Sequence, residues 1–363
     1  MKIAFFGSSL VSAYWNGAAT YYRGILSALA AHGHQITFYG PDAFGRQQHR
    51  DIDDPDWARV VVYPGDSQTA LIRCLVEACA ADVIVKASGV GVFDEYLERE
   101  VPRLPGGALR IFWDVDAPAT LDRMQANEKD PFFESIGRYD MVFTYGGGEP
   151  VRSTYVRVGA RECIPIYNAL DPSTHHPVEK NRKFESTLGF LGNRLPDREA
   201  RVDEFFFRAA AERPSETFML GGNGWGDKPM PANVNYIGHV YTAEHNAFNV
   251  TPRMVLNISR DSMASYGFSP ATRVFEAAGA GACLITDAWK GIELFLTPET
   301  EVLVAQDGGD VARIVGEIDS ERARAIGLAA RRRILSEHTY EHRAREVDSV
   351  LDALGKSTWK VVA

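Results

Sequence analysis

The 363-residue chain predicts an α/β protein built from two open parallel sheets, and three observations carry that prediction. Short apolar runs of strand length alternate with helical apolar periodicity along the chain. Each run ends in glycine or polar residues, so the repeating unit is strand, loop, helix, strand, which is how parallel sheets are connected. A polar, aperiodic stretch near 165–185, NALDPSTHHPVEKNRKFE, divides the series into halves of similar size. A domain prior of about 150 residues also gives two domains.

The elements follow in order. KIAFF (2–6) is a strand ending at Gly7-Ser8-Ser9, and Tyr22, Ile25, Leu26 and Leu29 then mark one helix face. Gly33 stops that helix and QITFYG is a second strand. Leu71, Ile72, Leu75, Val76 and Cys79 mark another helix face, followed by the strand DVIVKA. RIFW (110–113) and MVFT (141–144) are buried strands; the loops after these last three are Ser88-Gly89, Asp114 to Asp116 and Gly146 to Gly148. The second series runs TLGFLG, a helix near 198–213, ETFMLGG, NVNYIG, MVLNIS, a helix near 271–280, ACLITD and EVLVA. It closes with helices carrying Ile314, Ile318, Ile326 and Leu335, then Val347, Val350, Leu351 and Leu354. The expected organisation is a first domain over 1–165, a linker over 166–185, a second domain over 186–338, and a C-terminal helix in 339–363. Ligands of open parallel sheets bind beyond the carboxyl ends of strands, so two such sheets predict a cleft between the domains.

Composition excludes several classes. With 45% hydrophobic and 24% charged residues the chain is neither disordered nor fibrous. The formal net charge of −9 has the wrong sign for a general nucleic-acid binder. No apolar run approaches the roughly 20 residues of a membrane helix, and the start is too short in apolar residues for a secretion signal, which makes cytoplasmic the default expectation. Cys74, Cys79, Cys163 and Cys283 lie inside apolar patterns without metal-ligand spacing, so they read as small buried hydrophobes.

The most informative stretch is LNISRDSMASYGFSPATRVFEAAGAGACLITD (256–287). A strand ends at Ser259, and a loop with Arg260, Gly267 and Ser269 leads to a helix, with Pro270 placed at its start and Ser269 as its N-cap. Arg273 and Glu276 fall three apart on one face of that helix. A glycine and an arginine at a helix N-terminus suit an anion. Glu276 suits the ribose hydroxyls of a nucleotide; the alternative is a surface Arg273–Glu276 ion pair.

That stretch resembles the second half of GT-B-type nucleotide-sugar glycosyltransferases, and most closely a spore-maturation CgeB-like branch. The resemblance extends to WKGIELFLTPETEVLVA, FLGNRLPDR, FMLGGNGW, NVNYIGHV and, in the first half, FWDVDAPATLDRM. It implies two Rossmann-like domains facing across a cleft, with the donor held mainly by the second and the C-terminal helix crossing back to the first. Carried over, Glu276 binds ribose, Arg273 and the Ser269 backbone meet the diphosphate, and Asn193-Arg194 are a second diphosphate contact. Gly221, Gly222 and Gly224 let backbone approach the nucleotide, His239 and Val240 face the base, and Arg260 belongs to the donor loop. UDP is the commonest nucleotide in such folds, with GDP and dTDP open.

The first half would supply the acceptor and a base. Asp114 and Asp116 share a face if their strand continues; either one instead caps the following helix, with Asp114 slightly preferred as base. The loop holding Gly7, Asn16 and Gly17 lacks dinucleotide spacing and reads as an acceptor or phosphate loop, with Tyr14, Trp15, Tyr21 and Tyr22 offering either stacking surface or core. His32 and His34 flank Gly33 at a helix end and read as structural. Asp51-Ile52-Asp53 matches a metal-binding triplet by spacing only, so the expectation is a transferase with no tightly bound metal or cofactor, its diphosphate neutralised by arginines and helix ends. The partners expected are a nucleotide sugar and an unidentified saccharide, protein or small-molecule acceptor, with no nucleic acid and no integral membrane segment. A nucleotide-sugar epimerase and a non-catalytic ligand-binding protein are the competing readings.

Overall fold

A computed structural model describes residues 1–14 and 16–359; Trp15 lies outside them. The chain divides into two compact units, Met1–Tyr167 with Tyr340–Ala363, and Asn168–Thr339.

The first unit runs β1 (Lys2–Phe6), α1 (Ala18–Ala31), β2 (Gln35–Asp42), β3 (Ala58–Pro64), α2 (Gln68–Ala78), β4 (Val83–Ala87) and α3 (Asp94–Glu100). It continues with β5 (Leu109–Asp114), α4 (Ala117–Ala126), α5 (Phe132–Ile136), β6 (Met141–Thr144), α6 (Gly148–Arg157) and β7 (Cys163–Pro165). Its seven-stranded sheet has the order β3-β2-β1-β4-β5-β6-β7, and every pairing is parallel. Strands β1, β4 and β5 read as near-continuous apolar runs because helices cover both faces of a parallel sheet.

The second unit runs β8 (Leu188–Leu191), α7 (Glu199–Val202), α8 (Arg208–Glu212), β9 (Phe218–Gly221), β10 (Val234–Gly238), α9 (His245–Val250) and β11 (Met254–Asn257). Then follow α10 (Asp261–Tyr266), α11 (Thr272–Ala280), β12 (Leu284–Asp287), β13 (Leu303–Ala305), α12 (Gly308–Glu317) and α13 (Ser320–Glu337). One helix predicted near 198–213 is α7 and α8 joined by a π-helical turn, Asp203–Phe207. The six strands order as β10-β9-β8-β11-β12-β13, again all parallel. The stretch 168–185 is irregular yet anchored. Leu170 pairs with Thr339, its N–H donating to the His338 carbonyl at 2.9 Å, and Phe184 is buried.

The last helix, α14 (Tyr340–Trp359), packs in the first unit against α1. Gly24 permits this, because a Cβ there would fall 2.1 Å from the Tyr340 ring. Ion pairs fasten the same contact: His32 Nδ1 and His34 Nε2 lie 2.6 and 2.7 Å from the Asp348 carboxylate, and His32 Nε2 lies 3.0 Å from Glu341. All four cysteines are free, and burial pushes the Cys163 and Cys283 thiols up to about 12, so neither is a thiolate nucleophile.

Candidate functional site

In the second unit the chain leaves β8 and β11 in opposite directions across the sheet, and a crevice forms beyond the carboxyl ends of such strands. Four segments gather there: 192–198 after β8, 222–225 after β9, 258–260 after β11, and the start of α11. Their packing is set by backbone contact. Gly222 holds φ +118°, and a Cβ on it would meet the Gly192 carbonyl oxygen at 2.2 Å. The Asn223 N–H donates to Asn193 Oδ1 at 2.9 Å, and Trp225 Nε1 donates to the Gly192 carbonyl at 2.7 Å. Gly222 and Asn193 therefore fit two loops together. Gly221 and Gly224 do the same, facing Leu191 with Val240 and the Arg194 stem.

The arginines sort by their partners. Arg194 is held between Glu199 at 2.7 Å and Asp227 at 2.9 Å, so its charge is committed to carboxylates and it is not the open diphosphate contact expected of it. Arg260 pairs with Asp197 at 2.5 Å. Arg198 and Arg273 have no carboxylate within ion-pair distance among the described residues. Arg273 Nη2 donates to the Leu191 carbonyl at 2.8 Å, and Arg198 Nη2 to the Asn193 carbonyl at 2.6 Å. Burial, with Arg273 and Arg260 nearby, pushes Arg198 down to about 10; burial likewise lowers Arg273. Two mutually repelling guanidiniums on carbonyl oxygens have the charge and donor geometry that suit a multiply charged anion. The sequence reading passed over Arg198, inside FLGNRLPDR, in favour of the arginine nearer the strand. The signal available was Glu199, five residues after Arg194, which neutralises it.

Helix α11 begins later than predicted. Its N-cap is Ala271, which carries no capping side chain, and Ser269 Oγ turns back to donate to the Gly267 carbonyl at 3.0 Å. Phe268, at φ +48°, forces this path, since its N–H is held by the Lys290 carbonyl at 2.6 Å. The uncapped N-terminus leaves backbone N–H groups beside Arg273 for an anion. Glu276 lies one turn on, half-buried, with His175 Nε2 3.9 Å away. The Arg273–Glu276 surface pair does not form. Burial depresses His245, and Glu276 counters while Arg273 and His175 reinforce the shift. His175 and His245 were not foreseen, because His175 falls in the aperiodic stretch and His245 lies on a helix of six residues.

His239 is exposed and 3.5 Å from Asn223 Nδ2. Val240 is 2% exposed and packs with Phe184, Leu191, Met219 and Phe248, so its side chain faces the core and not a base.

In the first unit Asp114 is fully buried at the end of β5. Its Oδ1 accepts from Ser88 Oγ at 2.6 Å and from the Asp116 N–H at 2.9 Å, and its Oδ2 accepts from the Tyr155 hydroxyl. A base needs reach to the proton it takes; Asp114 has none and instead ties β4, β5 and α6 together. The strand ends at Asp114, so the two aspartates share no face. Asp116 is partly exposed at the N-cap of α4 and makes no side-chain capping bond there. Asn16 is buried and structural: it accepts from Ser8 Oγ and donates to the Ser9 and Ser12 carbonyls. Gly7 packs under Phe38, and Gly17 is the N-cap of α1. Tyr21 and Tyr22 are core residues, while Tyr14 is exposed and stacked on His49. Asp51 is bound to Arg23 at 2.7 Å and holds no metal triplet; no group of acidic, His and Cys side chains suited to a metal occurs among the described residues.

A glycosyl transferase-like family model matches residues 198–349. That segment holds Arg198, Arg273 and Glu276. No curated protein matches the sequence. Among solved structures, sucrose-phosphate synthase from Thermosynechococcus elongatus aligns with a TM-score of 0.69 at 16% identity, over 98% of this chain and 100% of that one. The Anabaena protein HepE in complex with UDP-glucose gives 0.66 at 12% identity, over 97% and 100%. An alpha-glucosyltransferase in complex with UDP and a 13-mer DNA gives 0.68 at 11% identity, over 97% and 99%. The chain has the GT-B fold. Both units are Rossmann-like parallel sheets, and no helix among the described residues is long and apolar enough to cross a membrane.

Proposed function

We propose that the protein is a glycosyltransferase that moves a sugar from a nucleotide-diphosphate donor to a hydroxyl acceptor, as a member of the CgeB-like branch. The observation that carries this is the Arg198–Arg273 pair, without carboxylate partners, at the uncapped start of α11, with Glu276 one turn away. The arginines and the helix N-terminus hold the diphosphate, and Glu276 accepts from the ribose hydroxyls. UDP is the preferred nucleotide, in keeping with the UDP and UDP-glucose complexes of the structural neighbours.

In the reaction the acceptor oxygen bonds to the anomeric carbon while the bond from that carbon to the diphosphate oxygen breaks. The electron pair leaves with the nucleoside diphosphate, whose growing charge Arg198 and Arg273 stabilise more strongly than the ground state. The acceptor proton passes to Asp116 in an inverting displacement, or to the departing diphosphate in a retaining one. Because fixed arginines supply the positive charge, turnover needs no divalent metal and survives EDTA.

The test is calorimetry with UDP, GDP, dTDP and CDP, followed by product analysis with the matching nucleotide sugars. Binding of one nucleotide and slow release of free sugar from its donor support the transferase. An epimerised, still nucleotide-linked sugar would establish the epimerase instead, and absence of binding to all four removes the reading.

A further inference from the structure

Arg46 is a buried cation without an ion-pair partner among the described residues. It follows β2 in the first unit and is 6% exposed. Its Nη1 reaches only the Ser8 and Val90 carbonyls, both at 3.4 Å, the long limit for such a bond, and its Nε has no partner. No carboxylate among the described residues lies within ion-pair distance. The nearby Asp94 is taken up by Lys86 Nζ at 2.8 Å and by the Val90 and Gly91 N–H groups. A charge removed from water without a partner is costly, and two marginal contacts do not offset that.

The surroundings are held in strained geometry. Phe44, at φ +56°, lays its ring under the Arg46 guanidinium at 5.1 Å and against Gly91, where a Cβ would come within 2.6 Å of it. A non-glycine residue in that conformation costs energy, and such strain clusters at ligand sites. Ser9, buried beside Ser8, has a hydroxyl with no partner. Ser8, Arg46 and Val90 follow three adjacent strands, β1, β2 and β4, and the chain reverses direction between β1 and β4. Ligands of open parallel sheets bind at that place.

We propose that Arg46, with Ser9, recognises an oxyanion, a phosphate or carboxylate carried by the acceptor, so that the acceptor is an acidic sugar or polyol. The word acceptor rests on the glycosyltransferase reading; the anion site does not. Arg46 offers a fork of donors to a planar or tetrahedral oxyanion, and the Ser9 hydroxyl supplies one more.

The experiment titrates the full-length protein calorimetrically with glucose 6-phosphate, glucuronate and glucose, and separately with UDP. It compares wild type with Arg46→Gln, Arg46→Lys and Ser9→Ala. Wild type is expected to bind at least one acidic sugar, and glucose at least about tenfold more weakly. Arg46→Gln weakens the acidic sugar by roughly 10–100-fold, Arg46→Lys recovers part of it, and Ser9→Ala costs a few-fold. UDP affinity stays unchanged, and the thermal midpoint of Arg46→Gln holds or rises, since an unpaired buried charge has gone. The proposal is overturned by equal binding of glucose and the acidic sugars, by no acidic sugar binding to wild type, or by no effect of Arg46→Gln. An equal loss of UDP affinity in Arg46→Gln overturns it too, because it assigns the arginine to the donor. Should Arg46→Gln misfold, unchanged acidic-sugar binding in Ser9→Ala counts against it. Loss of all nucleotide binding with Arg46-dependent sugar binding intact would sink the transferase reading alone.

Discussion

Arg273 Nη2 donates to the carbonyl oxygen of Leu191 at 2.8 Å, which fixes the first turn of α11 to the last residue of β8. This places a guanidinium at the end of the strand without a carboxylate to quench it, next to Arg198, which burial and its cationic neighbours push down to about 10. Arg198→Met and Arg273→Lys are each expected to weaken UDP by about 1.5–3 kcal/mol while leaving uridine binding near wild type. Arg198→Met should keep or raise the melting temperature, because it relieves repulsion between two half-buried cations. Equal losses for UDP and uridine would remove these residues from the diphosphate.

Glu276 makes the opposite prediction. Among the described residues its one group within ion-pair distance is His175 at 3.9 Å, so the carboxylate retains capacity to accept. Glu276→Gln should weaken UDP and uridine alike, by about 1.5–3 kcal/mol if charged ribose hydrogen bonds are lost. Calorimetry with both ligands checks this, and a loss confined to UDP would contradict the ribose role.

The strands were legible because a sheet buried on both faces forces continuous apolar runs, so KIAFF, DVIVKA and ACLITD announce themselves. Gly33 and Gly24 illustrate two grades of legibility. A helix stop is a local requirement, whereas the need for space under Tyr340 comes from a partner more than 300 residues away. The site was less legible for the same reason. Sequence names the types Arg, Glu and Asp but not their partners, and partners decided the corrections to Arg194 and Asp114, while packing and backbone path decided those to Val240 and Ser269. Glu199 and Asp227 disarm Arg194, Ser88 and Tyr155 consume Asp114, and Val240 turns inward. Arg198 and Arg46 stand out by having no ion-pair partner among the described residues, which sequence spacing does not express.

The two aspartates after β5 should now separate cleanly. Asp116→Asn is expected to lower transfer by about 10²–10⁴-fold in a base-dependent mechanism, with UDP affinity unchanged. Asp114→Asn should instead lose stability by about 1–3 kcal/mol, because the amide puts an N–H₂ where a buried oxygen accepted hydrogen bonds. Denaturant melts and initial rates on both variants check this. Unslowed transfer in Asp116→Asn, with donor binding intact, would take the base role from Asp116.

Docking of α14 on α1 should depend on pH through His32. Its bond to Asp348, helped by Glu341, raises its pKa above the ordinary value of 6.5. A folded pKa above the unfolded one means the stabilisation is complete below about 6.5 and is lost as pH rises through the raised value. Glu341 works the other way. Its bond to His32 lowers it, so its contribution is complete above about 4.5 and fades as pH falls through the lowered value. The contact is therefore strongest between about 4.5 and 6.5. The pairs are partly exposed, so screening limits the effect to about 1 kcal/mol. His32→Gln should destabilise the protein at about pH 6 and match wild type near pH 9, while Asp348→Asn should flatten the same dependence. Thermal melts across that range give the difference directly, and a gap between wild type and His32→Gln that is constant with pH would mean the imidazole acts through packing and not through its charge.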